Sequence, residues 1–156
     1  MIQKQEKKCR DLFIKEFGKC FKLPIYIPEN EYEHFDLSGV TGNGNINVIV
    51  EIKERNYDSI FLLDDGFFIE KLKIDKLWQI YDEYGGKIKI IFLNLTSDNK
   101  MVMLNLSKRF LINDESVNYT FKLKTYHSTY VDSDIIVKDM CSIKFDETFG
   151  DVILNG

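Results

Sequence analysis

The stretch FDLSGVTGNGNINVIVEIK, residues 35–53, decides the fold. Asn43-Gly44 is the residue pair that favours the positive φ angles of a type I′ turn, and apolar and β-branched runs flank it, so the segment predicts two antiparallel strands. With Asn43 and Gly44 as the loop, directly opposed residues have numbers that sum to 87. Phe35 then faces Ile52, Leu37 faces Val50, Gly39 faces Val48 and Thr41 faces Ile46, which gathers an almost wholly apolar face from both strands. The other face pairs Asp36 with Glu51, and His34 with Lys53.

Opposed side chains have Cβ atoms about 4.5–5.5 Å apart, and like charges placed this way weaken a sheet. At an effective dielectric near 20 and a separation near 5 Å the repulsion is roughly 3 kcal/mol before salt screening. A hard divalent cation with oxygen ligands offsets it directly, and carboxylates shared with phosphate oxygens and water are typical of Mg²⁺. Lys53 lies two residues from Glu51, on the same face of the strand. Its ammonium can orient or deprotonate a water, or balance charge that builds on a phosphate. An ordinary charged hairpin face is the competing account, and an ion pair from a Lys or Arg in the space between the acids would favour it.

Before the hairpin, Ile2, Cys9, Phe13, Phe17 and Cys20 recur at helical spacing and predict an amphipathic helix from Ile2 to about Phe21. Glu6 falls at the centre of that apolar stripe, where an acid must be paired, protonated or metal-bound. Glu6 is therefore a third candidate acid. Pro24 and Pro28 end the helical pattern and bias the residues before them to extended geometry. After the hairpin, a second helix from Phe67 to about Tyr84 places Ile74, Leu77, Trp78 and Tyr81 on one face, with Gly85-Gly86 as its stop. A strand over 88–95 follows. MVMLNLS, YTFKLKTY and DIIVKDMCSIKF then read as further strands.

The chain has 156 residues, 44% of them hydrophobic, enough for one buried core, so 1–156 reads as a single domain. Three cysteines with no C-x-x-C pattern indicate neither a disulfide framework nor a zinc site, and suit free thiols in a reducing cytoplasm. No run approaches a membrane span or a signal peptide. A net charge of −4 argues against a protein that coats nucleic acid non-specifically. Residues 1–23 nevertheless hold seven Lys/Arg against three acids, a local balance of +4 that leaves −8 on the rest. Lys7 and Lys8 on that basic helix, with Lys71 and Lys73 on the second helix, are candidate phosphate contacts. Lys100, Lys108 and Arg109 read instead as exposed turn and strand-end charges. The absence of alanine and the abundance of Lys, Ile, Asn and Phe suggest an AT-rich genome, a hint of phage or mobile-element origin.

QEKKCRDLFIKEFG, FDLSGVTGNGNINVIVEIKER and KLKIDKLWQIYDEYGGKIKIIFLN together resemble the PD-(D/E)XK nucleases, nearest the archaeal-type Holliday junction resolvases. They look like an early-glutamate helix, an aspartate strand with an E-x-K strand, and a following helix and strand, and they span about residues 3–95. The resemblance implies an α/β (α+β) restriction-endonuclease-like core, about 3–106, with a central mixed sheet flanked by helices. A mostly β extension, about 107–156, would follow without a recognised counterpart. It also implies that Asp36, Glu51 and the carbonyl of Ile52 bind Mg²⁺, with Mn²⁺ as a substitute, that Glu6 completes the site, and that Lys53 serves the attacking water. The reaction would cut DNA, branched or duplex, to a 3′-hydroxyl and a 5′-phosphate. A homodimer in the cytoplasm of a bacterial, archaeal or phage-infected cell would carry it out. The alternative is an inactive nuclease-fold protein that binds or inhibits.

Overall fold

A computed structural model describes residues 2–17, 21–26, 36–41, 47–112, 120–126 and 135–155. The hairpin strands are β2 (Leu37–Thr41) and β3 (Asn47–Glu54). Their observed pairs run from Leu37↔Val50 to Val40↔Asn47, all on the register expected from the sequence. The Asn43-Gly44 turn, His34 and Phe35 lie outside the described residues.

Around this hairpin a six-stranded mixed sheet forms in the order β1-β2-β3-β5-β6-β9. β5 (Ile88–Leu95) lies parallel to β3, and β6 (Lys100–Asn105) and β9 (Val152–Asn155) continue antiparallel from it. β1 (Phe21–Tyr26) sits at the other edge, where Pro24 is tolerated because an edge strand has amides to spare; its pairing shifts between Lys22 and Tyr26. A second sheet, β4-β8-β7, is built from β4 (Phe67–Glu70), β8 (Ile135–Ile143) and β7 (Thr120–Tyr126).

Strand alternation divides the core in two. Val48, Val50 and Ile52 point to one side of the main sheet, where helix α1 (Ile2–Phe17) supplies Phe13 and Phe17. Ile49 points to the other side, with Ile88, Ile90 and Phe92 of β5. That side is covered by α3 (Lys71–Glu83), α4 (Leu106–Ile112) and the second sheet. α3 buries Ile74, Leu77 and Tyr81 as expected, and half-buried Trp78 stacks on Phe110 at 5.0 Å. The glycine stop also holds: Gly85 and Gly86 take φ of 61° and 75°, and the Gly86 amide donates to the Tyr81 carbonyl, closing the helix in a Schellman-type turn.

Three expectations need correction. Phe67–Glu70 is a strand, not the first turn of the second helix: Phe67 and Ile69 alternate inward and pair with Ile143 and Cys141, partners too distant in sequence for local periodicity to find. A short helix, α2 (Ser59–Asp65), precedes it where the sequence pattern predicts none. The strand expected through MVMLNLS stops at Asn105, whose side-chain oxygen accepts the Lys108 amide at 3.3 Å and so caps α4.

The C-terminal residues join this core. β8 contributes Cys141 and Ile143 to the cluster beneath α3, and β9 extends the main sheet. Arg109, expected at the surface, is 0% exposed. Its guanidinium meets Asp151 in a two-pronged ion pair at 2.9 and 2.7 Å, donates to the carbonyls of Asn105 and Lys144, and lies under the Phe149 ring. Asp151 in turn accepts the amides of Asn105 and Asp146. No described helix is long and apolar enough to cross a membrane.

Candidate active site

The site lies where β2 enters the sheet. The Asp36 amide donates to the Val50 carbonyl, and the Asp36 carboxylate accepts the Ile52 amide at 2.6 Å. A side-chain oxygen thus takes the place that the next residue of β2 would fill in an unbroken ladder. Because the N–H and C=O of one strand residue point to the same neighbour, the Ile52 carbonyl faces the same edge as Asp36. The turn of chain at Asp36 therefore brings one carboxylate and one carbonyl to the start of the hairpin.

Glu51, on the face opposite Val50 and Ile52, is nearly enclosed, with its side chain 12% exposed. Lys73 from the first turn of α3 reaches it, Nζ to Oε1 at 3.3 Å. The other oxygen, Oε2, is buried and has no hydrogen-bond partner among the described residues. Burial, and next the Asp36 charge, push the Glu51 carboxyl up to about 8, while Lys73 and Lys53 pull it down. The two acids thus feel each other, as the register requires, and two ammonium groups oppose that repulsion only in part.

A cleft of about 130 Å³ opens here. Glu51 and Lys53 of β3 and Arg55 just beyond it line one side, with Phe68 and Glu70 of β4, Lys73 of α3 and Met140 of β8 completing the lining. Arg55 is held by Asn94 Oδ1 at 2.9 Å and by the Phe68 carbonyl, with its guanidinium over Phe92, and burial lowers its pKa to about 10. Arg55, Glu70 and Met140 are not among the residues the sequence singles out. Arg55 follows the E-x-K run by two residues on the same face, a local signal; Glu70 and Met140 arrive only through the second sheet.

The expected residues divide accordingly. Asp36, Glu51, Ile52 and Lys53 meet at the hairpin, and Lys73 joins them. Lys71 turns away, in an exposed ion pair with Asp75 at 3.0 Å, so the two α3 lysines that look alike in sequence part company. Lys7 and Lys8 are exposed on α1. The Glu6 side chain lies outside the described residues, and its helix packs against the Val50 and Ile52 face rather than the Glu51 face.

Among the described residues no three His, Cys, Asp or Glu side chains form a metal-holding group. The donor set is two carboxylates and one carbonyl, all hard oxygens, and the unpartnered Glu51 Oε2 is an acceptor that a hard cation satisfies. The residues present therefore fit a divalent ion of the Mg²⁺ kind.

No protein-family model and no curated protein matches the chain. Among solved structures it is similar to Hjc of Archaeoglobus fulgidus, a Holliday junction resolvase from an archaeal hyperthermophile. The match covers 90% of this chain and 88% of that one at 11% identity, with a TM-score of 0.44.

Proposed function

We propose that the chain is a Mg²⁺-dependent nuclease that hydrolyses DNA phosphodiester bonds in the cleft between Glu51, Lys53 and Lys73. The observation that carries this reading is the buried, unpartnered Oε2 of Glu51, set beside a second carboxylate and two lysines. Asp36, Glu51 and the Ile52 carbonyl would hold the cation, with Glu6 as the third acid of the proposal and Mn²⁺ as a substitute. When bound, such an ion supplies Lewis-acid polarisation of the phosphoryl group and acidifies water.

The chain's own groups do the rest. Lys53 Nζ orients the attacking water and balances the charge that builds on phosphorus. Lys73 lies against Glu51 Oε1 at 3.3 Å and would turn from it to a phosphate oxygen of the substrate. Water adds to phosphorus, the bond to the 3′ oxygen breaks, and that oxygen takes a proton, giving a 3′-hydroxyl and a 5′-phosphate. The resemblance of residues 3–95 extends the proposal to branched or duplex DNA, a homodimer and a cytoplasmic setting, and the alanine-free, Lys-, Ile- and Asn-rich composition extends it to a phage origin.

A second reading, an inactive nuclease-fold protein that binds or inhibits, is favoured by one observation. Lys73 forms the very kind of ion pair that an ordinary charged face would have. Against it stands the oxygen of Glu51 that Lys73 leaves bare.

The two separate on incubation with supercoiled plasmid, single-stranded DNA and a four-way junction, in Mg²⁺ or in EDTA, beside Lys53→Ala and Glu51→Ala. Cutting in Mg²⁺ alone, lost in both variants, is expected, and symmetric cutting of the junction would select a resolvase. If nothing is cut, or if Lys53→Ala cuts as well as wild type, the nuclease reading fails.

A further inference from the structure

Beyond Arg55 and Phe68, which line both, a second and larger cleft of about 500 Å³ adjoins the first. Its size is that of small-ligand sites. Tyr57 and Phe61 stand at it 65% and 59% exposed, although large aromatics at a surface without a partner lose free energy to water. Glu54 and Asp65 also line it, and Glu54 Oε2 is buried with no hydrogen-bond partner among the described residues.

We propose that this cleft receives one unpaired nucleobase of the substrate strand, beside the phosphate held at Glu51, Lys53 and Lys73; the inference rests on the nuclease reading above. Two carboxylates in the lining repel a phosphate, so the neutral part of a nucleotide belongs here. Aromatic side chains offer a face to any base, and stacking of this kind dominates recognition of single strands. The bare acceptor of Glu54 calls for a donor, which the exocyclic amine of cytosine, adenine or guanine supplies. Arg55, fixed by Asn94 and the Phe68 carbonyl between the clefts, sets the step from phosphate to base. A base inside a regular duplex cannot enter a walled cleft without leaving its stack, so the substrate must present an unpaired nucleotide at or next to the cut.

The test is binding in EDTA, where no cutting occurs, read by fluorescence anisotropy. The probes are a labelled oligodeoxycytidine, an abasic strand of equal length and charge, and a blunt duplex. Wild type should prefer oligodeoxycytidine to the abasic strand by about tenfold or more. The double variant Tyr57→Ala with Phe61→Ala truncates exposed side chains and should unfold at the wild-type temperature. It should bring the two affinities together by weakening only the base-bearing strand. Equal wild-type affinity for base-bearing and abasic strands overturns the proposal, as does a duplex that binds as tightly as the single strand, or equal loss of both strands in the double variant. Base-dependent binding by a protein that cuts nothing would keep this cleft and remove the nuclease reading; cutting by a protein indifferent to bases would do the reverse.

Discussion

Two sets of buried charges in this protein are built on opposite plans. At Arg109 and Asp151 a guanidinium and a carboxylate meet along two edges, backbone amides donate to the carboxylate and backbone carbonyls accept from the guanidinium. At Asp36 and Glu51 two acidic side chains are set together, Glu51 Oε2 has no hydrogen-bond partner among the described residues, and the ammonium groups of Lys53 and Lys73 belong to side chains that remain partly or wholly exposed. The first arrangement matches opposite charges and serves the fold. The second leaves Glu51 Oε2 as a buried acceptor with no hydrogen-bond partner among the described residues, the kind of oxygen the proposed cation would use. Satisfied polar networks specify a structure, whereas an unsatisfied one held in place by the rest of the fold marks chemistry.

The contrast can be broken most severely at the pair of opposite charges. Asp151→Ala leaves a guanidinium buried without its carboxylate and should cost about 3–5 kcal/mol, read as a lower urea midpoint with unchanged slope. A loss below about 1 kcal/mol would mean that Arg109 finds water in the variant and that the pair is not truly sealed.

Glu51→Gln should act in the opposite direction. The folded-state carboxyl titrates near 8, above its ordinary 4.5, so the folded protein holds a proton that the unfolded chain releases. The associated stability is present in full below about pH 4.5 and is lost as pH rises through 8. In EDTA, Glu51→Gln should therefore match wild type in acid and exceed it by up to about 5 kcal/mol above pH 8, with urea midpoints measured across that range. A variant less stable than wild type at high pH would show that Lys73 more than compensates the buried charge.

Mg²⁺ at ten times its Kd should stabilise the wild type by about 1.4 kcal/mol, seen as a rise in Tm. Asp36→Asn and Glu51→Gln should abolish that rise. Smallest of all, Lys71→Ala removes only an exposed helical pair and should change stability by about 0.3–0.5 kcal/mol and leave cutting intact. Lys73→Ala, two residues on, should depress cutting. Equal effects of the two would remove Lys73 from the site.

Features that depend on neighbours along one strand or helix are legible in the sequence. The hairpin register follows from Asn43-Gly44 and strand alternation, which suffice to put Asp36, Glu51 and Lys53 on one face; the pairs from Leu37↔Val50 to Val40↔Asn47 agree. Tyr81 and the glycine stop of α3 are equally local. Lys73 cannot be told from Lys71 by sequence, because their difference is made by docking α3 across the sheet. Arg109 misleads because its partner, Asp151, lies 42 residues away and a lone arginine between a strand and a short helix looks like surface. Phe67–Glu70 misleads for the same reason: its strand character comes from Ile143 and Cys141, not from its own spacing.

The Arg109–Asp151 clasp also bears on how the chain folds as it is made. During synthesis Arg109 emerges well before its carboxylate, and at about 5–20 residues per second the gap of 42 residues lasts roughly two to eight seconds. For most of that interval β4 lacks β8, and for all of it β6 lacks β9 and a guanidinium destined for the interior has no counter-charge. The nascent hairpin with β5 can form early, but the floor of the cleft waits for Met140. On the nuclease reading proposed above, cutting should thus appear only once Met140 and Asp151 have been made.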